Sequence, residues 1–329
     1  MKPTLSLLLI AASLAAADTP KGPALKEADA NPPGQNKVTF TVKGDKRVIE
    51  SNGIPDHKVA TFPNRGNPNA ISEQKYRLEI PASPKPLEGG ATGRMMSAWG
   101  VALNGVIFDP GTAEVYNDGD RSNPWRYEAL MSNTEMGTTP KIKVGLGLDQ
   151  NHGHVQPNGA YHYHGLPTLL IERLSGGEKK MTHVGWAADG FPVYAVYAYA
   201  QSADPKSELR KMKSSYRLKT ADRGGDGKTT PTGKPDGSFG LDFEYVAGSG
   251  DLDEFGGRTG VTPEFPQGTY YYVMTEEYPF IPRKHRGSPD PSFSKQAMDP
   301  HANLGGQGGP SAKGGKKGKK GPPPGGEPK

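Results

Sequence analysis

Four of the eight histidines fall within thirteen consecutive residues, as His152, His154, His162 and His164. They form two His-x-His pairs. Side chains alternate along a β-strand, so residues i and i+2 share a face. On a strand, His162 and His164 point one way, and Tyr161 and Tyr163 point the other. Between the pairs, Gln156-Pro-Asn-Gly159 has the chemistry of a tight reversal. A hairpin closed there sets the two pairs on neighbouring strands and turns three or four imidazoles towards one point. Imidazole nitrogens are the usual ligands of divalent transition metals, at about 2.0–2.1 Å for zinc. His154, His162 and His164 are therefore the candidate ligands, followed by His152. Asp149 offers a carboxylate, as a ligand or as the acceptor that fixes a histidine tautomer. Asp189 ends a strand-like run from Val184 and precedes a Gly190-Phe-Pro turn, where it too could reach the site; His183 lies six residues before it. Zinc or copper suits this donor set. The segment holds no Cys and no Met, which argues against blue copper, haem attachment and soft copper(I) sites. The competing reading is a His/Tyr strand face packed without metal.

Other polar groupings carry less chemistry. Asn117-Asp-Gly-Asp-Arg-Ser-Asn123 supplies several oxygens, but lacks the spacing and terminal Glu of an EF-hand. Asp251, Asp253 and Glu254 form a second acidic loop, and His57 sits in a Pro/Gly context that gives no direction. There is no Gly-x-Ser-x-Gly elbow, phosphate loop, dinucleotide fingerprint or His-Glu-x-x-His helix. Paired-carboxylate glycosidase chemistry leaves little local signature and stays open.

The elements that must hold the histidines are strands. With 45 Gly and 32 Pro among 329 residues, the chain suits many short strands joined by turns. Val38–Val42, Arg47–Ser51, Arg77–Ile80, Ala102–Phe108, Lys141–Leu146, Ala160–His164, Leu169–Arg173, Val193–Tyr199, Phe243–Val246 and Thr269–Thr275 read as strands. One short helix is expected from Asp204, with Pro205 at its first position, to Lys213. The fold class is mainly β: a single large β-rich domain over residues 36–285, sandwich or barrel-like, with few short helices and disordered termini. Pro157-Asn-Gly-Ala-Tyr161-His-Tyr163 also echoes Pro266-Gln-Gly-Thr-Tyr270-Tyr-Tyr272. Each is a turn feeding an alternating strand, and the second has no histidine.

Tyr161-His-Tyr-His164 is the motif that names the YHYH protein family, and the resemblance runs further. It takes in Gly145-Leu-Gly-Leu-Asp149, Gly153-His-Val-Gln-Pro-Asn-Gly159 and His183-Val-Gly-Trp186-Ala-Ala-Asp189-Gly190-Phe-Pro-Val-Tyr194. It ends with Asp253-Glu-Phe-Gly-Gly257-Arg258 and Thr262-Pro-Glu264, and so covers about 95–285. Ser51-Asn-Gly-Ile-Pro-Asp-His57 extends it. The resemblance implies an exported protein whose histidine segment is the signature of the fold; it implies no particular reaction.

The ends of the chain are different in kind. Lys2, an apolar stretch from Leu5 to Leu14 and three alanines at 15–17 have the order of a cleaved signal peptide. The stretch is shorter than the roughly 20 residues a transmembrane helix needs. Export to the periplasm, the cell surface or the medium is expected, with 18–35 an unstructured leader. The formal net charge of +5 lies in the last nineteen residues, where six Lys face one Glu. A nearly neutral body argues against a nucleic-acid partner. The tail from 286 to 329, rich in Gly, Lys and Pro, is expected to be disordered, and its charge suits an anionic envelope polymer. Three functions remain: metal-assisted hydrolysis, a non-catalytic metal-storage or sensing module, and a structural cell-surface domain.

Overall fold

The computed structural model describes residues 25–92, 97–117, 119–130 and 145–298. The expected signal peptide, the first part of the leader, Asp118, the start of the strand expected at Lys141–Leu146 and the tail from 299 onward lie outside the described residues. The architecture is mainly β.

Strands β1 (Val38–Lys43), β2 (Lys46–Ser51) and β3 (Tyr76–Pro81) make an antiparallel meander. β4 (Ala91–Thr92) precedes two hairpins: β5 (Gly100–Ala102) with β6 (Ile107–Phe108), and β7 (Gly153–Val155) with β8 (Tyr161–Tyr163). Helix α1 (Thr168–Ser175) leads to a third hairpin, β9 (Thr182–Ala187) with β10 (Pro192–Ala195). Four short strands follow, β11 (Tyr197–Tyr199), β12 (Leu209–Lys211), β13 (Tyr216–Leu218) and β14 (Phe243–Tyr245). Then come the hairpin of β15 (Gly257–Gly260) with β16 (Thr269–Met274), strand β17 (Lys284–His285) against β4, and α2 (Lys295–Met298).

The four hairpins assemble into one eight-stranded sheet in the order β15-β16-β10-β9-β5-β6-β8-β7. Its two halves are equivalent. Outward from the centre, β5-β6-β8-β7 pair antiparallel, parallel and antiparallel, and β9-β10-β16-β15 do the same. At the join, Leu103 donates to the Val184 carbonyl at 2.8 Å and Ala188 donates to that of Trp99 at 2.9 Å. These bonds exchange under a pseudo-two-fold axis between β5 and β9. The echo in the sequence is thus structural, with Tyr161 and Tyr163 at the places of Tyr270 and Tyr272. Asp149 accepts from the amides of Asn151 and Gly153 and from the Tyr161 hydroxyl. Asp253 accepts likewise from Phe255, Gly257 and Tyr270. Gly153 and Gly257 are required there: a Cβ would meet the phenol oxygen of Tyr161 at 2.4 Å, or of Tyr270 at 2.3 Å.

One face of this sheet buries Tyr161, Tyr163, Tyr270, Tyr272 and Phe108 with Leu170 of α1. The other buries Val101, Ile107 and Trp186 against Ile49, Leu78 and Ile80 of the meander and against Phe293. Each such side chain contributes about 1.5–3 kcal/mol by leaving water.

Several expectations are corrected. Leu169–Arg173 is helical, within α1. Leu170, Ile171 and Leu174 share the helix face turned to the core, and Gly176, left-handed at φ 67°, caps it. A short apolar run fits either period. The helix expected at 204–213 does not form. Asp204 instead caps a turn by accepting from the Lys206 amide, and 209–211 become β12, paired with β11. Ala102–Phe108 is two strands reversed at Asn104-Gly105, and Val193–Tyr199 breaks at Val196, whose φ is 26°. Residues 145 and 146 are not in a strand. The body also extends past 285. Phe293 is fully buried, and Lys295 is paired with Asp109 at 2.9 Å. In the leader, Lys26 exchanges backbone bonds with Leu148 and Gln150, and Ala30 does so with Val59. Backbone pairing of this kind leaves no mark in composition.

Candidate metal centre

The hairpin of β7 and β8 sets His154 directly opposite His162, and His164 follows two residues on. Strand alternation turns all three rings to one face, as their spacing predicted. His162 and His164 are 3 % and 2 % exposed, and His154 is half-buried. Nε2 of His164 lies 3.0 Å from Nε2 of His162 and 3.0 Å from Nε2 of His154. The ring centroids form a nearly equilateral triangle with sides of 4.7, 4.8 and 4.8 Å. Tetrahedral coordination at 2.0–2.1 Å separates two ligand nitrogens by about 3.3 Å; the two separations to His164 are close to this, and the three ligand atoms all lie within 4.8 Å of one another. They are the group among the described residues that could hold a metal ion.

The second nitrogen of each ring indicates the tautomer. His154 Nδ1 meets the Leu146 carbonyl at 2.8 Å, and His162 Nδ1 meets that of Ala160 at 3.3 Å. A carbonyl only accepts, so the protons sit on Nδ1 and the lone pairs on Nε2. His164 Nδ1 is buried without a partner in hydrogen-bond geometry; the Pro110 carbonyl is the polar group that favours its protonation. Burial holds all three imidazoles below their usual pKa, most strongly at His162 and His164, and the rings' mutual repulsion adds to it at those two. The Nε2 lone pairs of His154 and His162 thus face Nε2 of His164, an arrangement that a bound cation would satisfy.

The other residues singled out in the sequence lie elsewhere. His152, left-handed at φ 54°, falls out of the strand alternation, and its Nδ1 meets the Leu166 carbonyl at 2.8 Å. Asp149 is on the tyrosine face, where it takes the Tyr161 hydroxyl at 2.7 Å. Burial raises its carboxyl, and the Tyr161 hydroxyl and backbone amides offset this in part. It orients the hairpin from behind and does not join the three histidines. Asp189 is in the other half of the sheet, accepting from Tyr272 at 2.6 Å and from the Gly287 amide at 2.8 Å. Asp253 is the counterpart of Asp149 there. His57 reaches the Tyr163 hydroxyl at 2.6 Å, again on the tyrosine face. In the 117–123 loop, Asp120 accepts from Ser122 and Asn123 from the Trp125 amide, as in plain turns. Asp251 is paired with Arg210.

Asp109 was not anticipated. The register of β6 beside β8 pairs Phe108 with Tyr163, so Asp109, one residue on, falls level with His164. Its buried carboxylate takes Gln156 Nε2 at 3.1 Å and Lys295 Nζ at 2.9 Å, and its charge is felt at His154. No local pattern announces it, since its place depends on a parallel pairing of distant segments. Asn67, which bonds the Val155 carbonyl at 2.9 Å and approaches His154 Nδ1, was equally hidden.

A family model described as YHYH protein matches residues 77–287, more than half of the chain. No curated protein and no solved structure matches.

Proposed function

We propose that this chain, which belongs to the YHYH protein family, binds one divalent transition metal, zinc or copper, through the Nε2 atoms of His154, His162 and His164. The observation that carries this is the convergence of the three imidazoles, whose ligand nitrogens all lie within 4.8 Å of one another, with Nε2 of His164 3.0 Å from that of each of the other two. A metal there would act as a Lewis acid toward a coordinated oxygen. Three protein ligands leave a fourth position, the pattern of catalytic rather than closed structural zinc sites. This favours metal-assisted hydrolysis over storage or sensing. The chain's own part is to keep the rings neutral by burial, to fix their tautomers through backbone carbonyls, and to hold Asp109 beside them through Lys295 and Gln156. Asp109 is the carboxylate placed to accept a proton. The purely structural reading accounts for the buried tyrosines but leaves the converging lone pairs without a partner.

Residues 1–17 support export, and the basic tail supports adhesion to an anionic envelope polymer. Among the described residues no helix is long and apolar enough to cross a membrane.

The test is metal content per mole, by mass spectrometry, in protein purified without chelators or affinity metals. His162→Ala and His164→Ala should each lose metal and melt earlier, since an ion bound only by the fold adds RT ln(1 + [L]/Kd) to stability. Tyr161→Phe and His301→Ala should keep it. Wild-type protein that stays metal-free after incubation with zinc and copper would leave the structural reading.

A further inference from the structure

A second concave site lies in the other half of the molecule, beside β9. The cavity measures about 430 Å³, within the range of small-molecule pockets. Leu103, Leu174 and Leu209 form its apolar walls, and Lys180, His183 and Glu264 line it beside Tyr199. His183 stands edge-on to Trp186, with ring centroids 4.8 Å apart, and beside Tyr194 at 5.4 Å. Its Nε2 lies 2.9 Å from the Gly185 carbonyl. The proton is therefore on Nε2, and Nδ1 is an acceptor with no hydrogen bond among the described residues. The Tyr194 hydroxyl sits 2.7 Å from both Thr262 Oγ1 and Glu264 Oε2, which orients the carboxylate and leaves Oε1 without a bond among the described residues. Burial lowers His183, while the Glu264 charge partly offsets this, so near neutral pH the ring accepts.

We propose that this cavity binds an α-amino acid with a bulky apolar side chain. Its ammonium donates to Glu264 Oε1 and His183 Nδ1, its carboxylate pairs with Lys180, and its side chain lies on Leu103, Leu174 and Leu209. Two adjacent acceptors, one of them anionic, select a cationic donor over a neutral or anionic head. An amine alone leaves the Lys180 ammonium unmatched and adds a like charge beside it. A carboxylate alone meets the Glu264 charge. The zwitterion satisfies both, and the apolar walls then select by side-chain size. This site shares no residue with the histidine triad and does not depend on it.

The experiment is ligand-observed NMR titration of the full mature chain with leucine. Glycine, isoamylamine and 4-methylpentanoate are the comparison ligands. Leucine should bind at least about tenfold more tightly than any of the three, because each lacks one of the interactions. Glu264 is exposed, so Glu264→Gln should melt with the wild type yet weaken leucine binding by about tenfold or more. Lys180→Met should weaken leucine binding while leaving isoamylamine no weaker than before. Leucine binding no better than glycine, or leucine binding unchanged in Glu264→Gln, would overturn the proposal.

Discussion

Asparagine at position 149 distinguishes a residue that builds the histidine hairpin from one that would ligate a metal there. Asp149 uses both carboxylate oxygens. Oδ1 accepts from the amides of Asn151 at 2.9 Å and Gly153 at 3.2 Å, and Oδ2 accepts from the Ala60 amide at 3.3 Å and the Tyr161 hydroxyl at 2.7 Å. An asparagine can keep the first pair, but it then turns its NH2 group towards Ala60, setting donor against donor. A buried amide left without an acceptor costs roughly 1–3 kcal/mol, and the lost charge weakens the remaining bonds. The net loss for Asp149→Asn should be about 2–3 kcal/mol, or roughly 4–12 °C in melting temperature at 2–4 °C per kcal/mol. Asp253 is the internal control. Its bonds to Phe255, Gly257 and Tyr270 all fall on Oδ1, so an amide oxygen can replace it, and Asp253→Asn should stay within about 1 kcal/mol. The assay is thermal unfolding of both variants beside metal analysis well below the transition. Asp149→Asn should be the less stable of the two and still bind its metal. Equal melting of the pair would refute the oxygen-by-oxygen argument. Metal loss matching that of His162→Ala would make Asp149 a ligand after all.

Two further outcomes follow from burial. Phe293→Ala should cost about 3–5 kcal/mol, because the ring is fully buried against the meander. A chain ending at Asp290 should melt well below one ending at Met298, and equal melting in differential scanning calorimetry would place the domain boundary at 285 instead. Metal occupancy, titrated from pH 8 downward, should hold until pH is below about 6.5, the ordinary histidine value. Burial lowers His154, His162 and His164, so the fold keeps them neutral after free histidine has protonated. Their contribution to stability is present above about 6.5 and is lost as pH falls from there toward the lowered values. Half-loss of metal at or above pH 6.5 would contradict this.

The local part of the site was legible in the sequence. A His-x-His spacing on a strand fixes a shared face, and Gln156-Pro-Asn-Gly159 fixes the reversal, so three imidazoles could be aligned without knowing the fold. What failed was whatever depended on one backbone angle or on distant pairing. His152 has the same spacing to His154 as His162 has to His164, yet a left-handed φ of 54° removes it. Asp189 has a strand-end position as suitable as any, and only the sheet order shows that it belongs to the other half. Asp109 is unmarked in its own segment and is placed by the parallel register of β6 and β8. Most strands with alternating burial were read correctly, including β1 to β3. The error at α1 arose where three consecutive apolar residues, Leu169 to Ile171, made the two periods indistinguishable.

The pseudo-two-fold axis relates the half with the histidine triad to a half that has no histidine at the matching positions. The hairpin frame is the same in both: an aspartate at the entry, a glycine beneath a tyrosine ring, and a second tyrosine held by an Asn or Asp at the neighbouring turn. Asn104 bonds the Tyr163 hydroxyl at 2.9 Å, and Asp189 bonds that of Tyr272 at 2.6 Å. These shared residues face the core and specify the strand pairing. The three positions on the opposite face are free to differ. Where the first half has His154, His162 and His164, the second has Arg258, Tyr271 and Val273, as the registers Gly153↔Tyr163 and Gly257↔Tyr272 require. Arg258 there stacks over the Tyr271 ring at 6.0 Å and donates to the Tyr199 carbonyl, closing the face with a cation of its own and the short strands above it. A guanidinium and a valine cannot bind a metal, and this half keeps its fold without the histidines. The frame therefore does not need the imidazoles for pairing or packing, which supports the proposed metal site.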